Sequence, residues 1–308
     1  MRAGTQTFGG HEIDISSVDK VMFPDSGITK GELLDHYDRV AEYALPYLEG
    51  RPVALKRCPD GIDDCFFQKS ASDHFPEWIE RFAVPLRGED RDTVHVVVED
   101  HPTLVYLADQ GTIELHTWLS RTEDLECPDQ AIFDFDPPGG DPDSADEARF
   151  AARKVRDLLD ELSLPSLVKT SGSKGYHVHV LLDGSAPFEQ VRAFTADVSK
   201  VLAGRYPERL TIAKRKDQRE GRVFLDYLRN AYGQPAVAPY SVRALEGAPV
   251  ATPLDWGELG DADPQRYTIG NLFRRLGQKD DPWVDVWGSG GALDEARARL
   301  DELMDEEG

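Results

Sequence analysis

Two aspartates stand two residues apart in the run Ala131-Ile132-Phe133-Asp134-Phe135-Asp136-Pro137-Pro138, and they are the chain's first candidates for chemistry. Side chains alternate across a strand, so Asp134 and Asp136 share one face and Phe133 and Phe135 the other. The prolines cannot extend the hydrogen-bond ladder, so the strand is expected to end just past Asp136. Two like charges this close are unfavourable unless something positive sits between them. A pair of divalent cations meets that need, and two-metal sites drive phosphoryl transfer. The plainer reading is an acidic turn after a buried strand. A third carboxylate, Asp226, interrupts the apolar run Val223-Phe224-Leu225-Asp226-Tyr227-Leu228. A buried Asp needs a metal, a cation or several hydrogen bonds. A salt bridge to Arg222 or Arg229 is its plainer reading.

The turn Ser171-Gly172-Ser173-Lys174-Gly175 offers glycines that let backbone amides approach an anion, hydroxyl donors, and the charge of Lys174. It lacks the Walker A spacing and leads into a strand rather than a helix. His177 and His179 share a strand face behind it. They could ligate a metal, bind phosphate or line a polar cleft. For His177 contact with a nucleotide or its metal is expected; for His179 a packing role is favoured.

These residues need elements to hold them. Thr29 with Glu32 forms a capping box for a helix over 30–45, whose apolar positions recur at the helical period. Short strands are expected at 53–56, 65–68 and 94–98. Ser144, with Glu147 three residues on, is expected to cap a second helix that Pro165 ends. Residues 166–170 and 176–182 read as a hairpin, 187–203 as a third helix, and 222–228 as another strand. The order β-α-β-β-α-β is that of a ferredoxin-like, RRM-type unit, in which first and last strands can lie side by side. Asp226 would then meet Asp134 and Asp136. The last helix, about residues 292–304, is very acidic and expected to be loosely attached.

The 308 residues carry 35 basic and 57 acidic side chains, a net charge of −22. Taken alone, that argues against a nucleic-acid partner, which favours a basic footprint. It also suits a protein of a salt-loaded cytoplasm. Against this background the local basic stretch Lys214, Arg215, Lys216, Arg219 and Arg222 stands out. No apolar run reaches the 18 residues of a membrane span, so no membrane partner is expected. Cys58, Cys65 and Cys127 form no CxxC pair, which argues against a disulfide framework or zinc ribbon and fits a reducing cytoplasm.

Asp134-Phe135-Asp136-Pro137, Ser171-Gly172-Ser173-Lys174-Gly175-Tyr176-His177 and Asp226-Tyr227-Leu228-Arg229-Asn230 together resemble the archaeo-eukaryotic primase superfamily. More closely, the chain is similar to the polymerase domain of ligase D, which serves non-homologous end joining. The likeness runs from Asp19-Lys20 through Lys56-Arg57-Cys58-Pro59, Glu114-Leu115-His116 and Ala238-Pro239-Tyr240-Ser241-Val242-Arg243 to Asp281-Pro282-Trp283.

The resemblance implies an α+β primase-polymerase fold, in which the RRM-like catalytic sheet is combined with a second mixed β unit and flanking helices. One domain would span residues 1–290, with a DNA-end-binding subregion at about 1–125 and the catalytic core at about 126–232; an acidic helix would occupy 291–308. It implies a template-dependent nucleotidyltransferase that fills gaps at double-strand breaks, with ribonucleotides preferred. A primase or a non-catalytic end-bridging module are the alternatives. Asp134, Asp136 and Asp226 would hold two Mn²⁺ or Mg²⁺ ions. Lys56, His116, Ser171, Ser173, Lys174, His177 and Arg243 would bind the NTP or dNTP. Lys20 and Lys30 would take a 5′-phosphate on the DNA, and Phe66 and Phe67 would stack at the template. The expected partners are gapped DNA, a separately encoded DNA ligase and Ku, because 308 residues leave no room for a ligase or nuclease domain. A monomer or weak end-bridging dimer in the cytoplasm, at the nucleoid, is expected. Cys58 falls where an aromatic or aliphatic residue would be expected.

Overall fold

The computed structural model describes residues 1–137, 139 and 142–307, apart from the side chains of Asp136, Pro142 and Asp143. Pro138, expected to follow the end of the double-aspartate strand, lies outside the described residues. In chain order the elements begin β1 (Gly4–Phe8), β2 (His11–Ile15), β3 (Val21–Phe23), β4 (Ile28–Thr29), α1 (Lys30–Leu48), β5 (Pro52–Arg57), β6 (Phe66–Gln68), β7 (Arg81–Pro85), β8 (Asp92–Val97), α2 (His101–Asp109) and β9 (Thr112–Thr117). They continue β10 (Gln130–Asp136), α3 (Pro142–Glu161), β11 (Ser166–Thr170), β12 (Tyr176–Leu181), α4 (Phe188–Arg205), β13 (Leu210–Thr211), β14 (Val223–Asp226), β15 (Ala236–Val237), β16 (Pro253–Leu254), α5 (Leu272–Leu276) and α6 (Asp294–Glu307).

The chain divides into two compact units. Unit 1 comprises Met1–Trp118, Pro235–Thr252 and Tyr267–Asp280, and unit 2 comprises Leu119–Gln234, Pro253–Arg266 and Asp281–Gly308. Unit 1 is built on the sheet β15-β9-β5-β8-β7, with β6 added to the free end of β5. The capping box forms as the sequence implies: the Thr29 hydroxyl accepts from the Glu32 amide, and the Glu32 carboxylate accepts from the Thr29 amide. Helix α1 runs past the expected stop at Leu45, through Pro46, and buries Tyr47 and Leu48. The glycine-containing N-terminus forms a hairpin of β1 and β2. Gly9 and Gly10 both take positive φ, as a tight two-residue turn between β1 and β2 requires.

Unit 2 is built on the sheet β13-β14-β10-β12-β11-β16. Its central four strands alternate in direction, and β10 lies between β14 and β12. This is the order expected of a β-α-β-β-α-β unit. Phe133, Phe135, Val178 and Leu225 are buried, and α3 packs on β10, β11, β12 and β14. Helix α3 starts at Pro142, so Ser144 lies within its first turn rather than at its cap. Helix α6 is better attached than its acidity suggests. Leu293, Ala296 and Leu300 fall on one face and are buried, and Arg297 pairs with Asp197 of α4 at 2.8 Å.

Cys58 and Cys65 form a disulfide, contrary to the expectation that the sparse cysteines build no disulfide framework. The chain turns back between β5 and β6, which brings the two Cα atoms to 4.2 Å; no CxxC spacing announces such a pair. A bond closing so short a loop stabilises by roughly 2–3 kcal/mol. Cys65→Ser is therefore expected to lower the unfolding free energy by about that amount in denaturant titrations under oxidising conditions, and by nothing once a strong reductant is present.

Candidate active site

In unit 2 the carboxylates meet across two neighbouring strands. Asp134 of β10 stands directly opposite Asp226 of β14. Like charges in that position repel, and the site surrounds them with positive groups. Arg229 Nε lies 3.6 Å from Asp134 Oδ2 and 3.8 Å from Asp226 Oδ2, within ion-pair range of both. His177, opposite Asp134 on β12, brings Nε2 to 3.5 Å from Asp134 Oδ1. Lys169, fully buried, occupies the next position across, on β11. Burial works against ionisation of Asp134, but His177, Arg229 and Lys169 outweigh it and hold the carboxyl at about 2. Asp226 also accepts a 2.8 Å bond from the Leu228 amide. Asp136 is the next residue but one after Asp134 in β10, with its backbone paired to Phe224; its side chain lies outside the described residues.

Asn230 fixes this arrangement. Its Oδ1 accepts from the Ile132 amide at 2.8 Å, and its Nδ2 donates to the Ile132 carbonyl at 2.7 Å. A side chain thus continues the pairing of β10 where β14 has ended. The two histidines part company: His179 sits 2.9 Å from Gln130 Oε1 and packs its ring on Trp283, whereas His177 faces Asp134.

The Ser171–Gly175 loop is tied to the carboxylate strand. Ser171 Oγ accepts from the amides of Ser173 and Gly175, at 3.1 and 3.2 Å, so this hydroxyl shapes the loop. Ser173 is half-buried and Lys174 exposed. A Cβ on Gly175 would stand 2.8 Å from the Phe135 carbonyl oxygen, so only glycine lets the loop lie this close to β10.

In unit 1 the structure gathers Lys56, His116 and Arg243 around one residue to which the sequence reading gave no role, Glu114. Its carboxylate accepts from Lys56 Nζ at 2.9 Å, lies 2.8 Å from His116 Nε2, and accepts from Arg243 Nε at 3.1 Å and from the Ala244 amide at 3.0 Å. Burial opposes ionisation, but His116, Arg243 and Lys56 hold this carboxyl well below the usual range. The available signal was a charged residue between Ile113 and Leu115 on a short strand. Phe67, exposed, lies edge-on to His116 at 5.2 Å, and Phe66, also exposed, lies under the Arg57 guanidinium at 5.7 Å.

Lys20 and Lys30 differ in environment. Lys20 is 36% exposed and pairs with Asp60 at 2.6 Å. Lys30 is buried, 2.7 Å from the buried Asp109 and within reach of Ser16 Oγ. Of the basic stretch, Arg215 and Arg222 pair with Asp217 and Glu220, and Arg219 donates to the carbonyls of Ala213 and Lys214. Among the described residues, no group of three His, Cys, Asp or Glu is spaced to hold a metal. The fit to a cation rests instead on the chemistry of the donor set, the carboxylates of Asp134 and Asp226 side by side on neighbouring strands, where Arg229 supplies the positive charge in this structure.

Carboxylates on paired strands of an antiparallel sheet with helices on it, beside a glycine-containing loop, define the class of fold and site, and comparison gives the family. The chain belongs to the LigD primase-polymerase domain family, whose model matches residues 29–283. It is 34% identical over 308 residues to the multifunctional non-homologous end joining protein LigD of Pseudomonas aeruginosa, covering 96% of this chain and 35% of that protein. It is 31% identical to the bifunctional non-homologous end joining protein LigD of Bacillus subtilis, covering 90% and 44%. The chain thus spans less than half the length of these curated relatives. The polymerase domain of Mycobacterium tuberculosis ligase D, solved in complex with DNA, superposes with a TM-score of 0.81 at 29% identity, covering 89% of this chain and 97% of that one. No described helix is long and apolar enough to cross a membrane.

Gly175→Ala should displace the loop from β10, because the atom it meets is backbone and cannot swing aside. A stability loss of about 1–3 kcal/mol is expected in denaturant titrations. A variant with unchanged stability would show that the close approach does not matter.

Proposed function

We propose that this chain is a template-directed nucleotidyltransferase that extends a primer end across short gaps at DNA double-strand breaks, within non-homologous end joining. The observation that carries the proposal is the pairing of Asp134 with Asp226 across β10 and β14, beside a loop fastened to the same strand, in a member of the primase-polymerase family. Asp134, Asp136 and Asp226 would hold two divalent ions, Mn²⁺ or Mg²⁺. When bound, such ions supply an activated primer hydroxyl and neutralise charge on the triphosphate.

The chain's own residues do the positioning. His177 and Arg229 hold the carboxylates in place, and Arg229 bridges their charges. Ser171 sets the curvature of the loop by accepting the amides of Ser173 and Gly175, and Ser173 and Lys174 are assigned to the nucleotide's phosphates. Lys56, His116 and Arg243 form a second positive surface, assigned to the nucleotide. Phe66 and Phe67 offer rings on which bases stack without regard to sequence. Lys20, with its side chain partly in solvent, and Lys30 behind it are assigned to a 5′-phosphate on the DNA. Ribonucleotide preference, work with a DNA ligase and Ku, and a cytoplasmic site of action at the nucleoid belong to the same proposal.

Asp226→Asn should abolish nucleotide addition in primer extension on a gapped duplex while leaving the circular dichroism spectrum unchanged. Retained addition would remove the reaction-centre assignment. Lys20→Ala should weaken binding to gapped DNA that bears a 5′-phosphate. Equal weakening on the 5′-hydroxyl duplex, measured by fluorescence anisotropy, would count against a phosphate contact.

A further inference from the structure

Glu114 is the one carboxylate in the positive cluster of unit 1, and it is almost fully buried, with 2% of its side chain exposed. An ionised carboxylate offers about four acceptor positions, and all are used here. Oε1 takes Lys56 Nζ and the Ala244 amide; Oε2 takes His116 and Arg243 Nε. The four donors come from three places in the sequence. Lys56 lies opposite Glu114 on β5, His116 two residues along the same face of β9, and Arg243 with Ala244 on the segment after β15.

Without that carboxylate, the Lys56 ammonium and the Arg243 guanidinium would repel each other and spread apart. With it they are drawn to one point, yet two fixed positive charges outnumber the single negative one. The cluster therefore keeps its attraction for an anion. We propose that Glu114 is a positioning residue for nucleotide binding: it clamps Lys56, His116 and Arg243 into one preorganised surface that receives the anionic part of the incoming nucleotide. The inference rests on the assignment of those three side chains to the nucleotide made above.

Two substitutions separate positioning from folding. Glu114→Gln keeps the shape, but its NH₂ faces donors where an oxygen accepted them. Glu114→Asp keeps the buried charge and so the fold, but withdraws it from the donors by one methylene. With saturating gapped duplex, both should raise the KM for NTP, by about tenfold for Glu114→Gln and severalfold for Glu114→Asp, with kcat changed by less than about threefold. A uniform loss of folded enzyme would lower the apparent kcat and leave KM alone. Lys56→Ala is the companion measurement. If it raises KM and a folded Glu114→Asp keeps the KM of the parent, the positioning role is overturned and the nucleotide assignment stands. If Lys56→Ala leaves KM unchanged, the nucleotide assignment falls and the inference falls with it.

Discussion

The antiparallel register that sets Asp134 against Asp226 is the constraint on which unit 2 depends. Because strand side chains alternate with a period of two, a slip of one residue would turn a carboxylate toward the helices and a phenylalanine toward solvent. Several features hold the register. Phe133, Phe135 and Leu225 are buried on the helix-covered side, Asn230 bridges the amide and carbonyl of Ile132, and Gly175 admits the neighbouring loop against Phe135. The cost of opposing two acids is offset locally by Arg229 and His177.

The two units solve inverse electrostatic problems. In unit 2 anions are gathered and cations surround them; in unit 1 three basic side chains are gathered around one buried anion. Each arrangement is held by geometry rather than by net charge, which is −22 for the chain. Exposed charges beyond about 10 Å are largely screened at ordinary ionic strength, so local groups decide what binds. The buried Lys30–Asp109 pair follows the same logic: removal of either partner would strand a charge in the interior, at about 3–5 kcal/mol.

Much of this was legible in the sequence because it depends on near neighbours. Alternation put Asp134 and Asp136 on one face, Thr29 and Glu32 announced a helix start, and the succession of periods gave the β-α-β-β-α-β order. What the sequence withheld depends on distant partners. Glu114 meets Lys56 from 58 residues away and Arg243 from 129, and nothing local distinguishes it from any charged residue in a strand. The burial of Lys30 and the anchoring of α6 were hidden for the same reason, whereas the Cys58–Cys65 bond spans only seven residues and depends on the turn between β5 and β6. Ser171 reads locally as a ligand-facing hydroxyl, and its oxygen also accepts two amides of the loop it shapes, which no local pattern announces.

Each unit is assembled from three separate stretches of chain. Within unit 1 the turn at Asp25 and Ser26 is held by Glu246, and Tyr37 accepts the amide of Val242, more than two hundred positions onward. Synthesis runs from the N-terminus at about 5–20 residues per second. The first hundred residues therefore leave the ribosome well before the segments that complete their core, so neither half can finish folding until most of the polypeptide has emerged. A nascent chain of this kind exposes apolar strand edges for many seconds, and its abundant acidic side chains are well suited to keeping it from sticking to others during that wait.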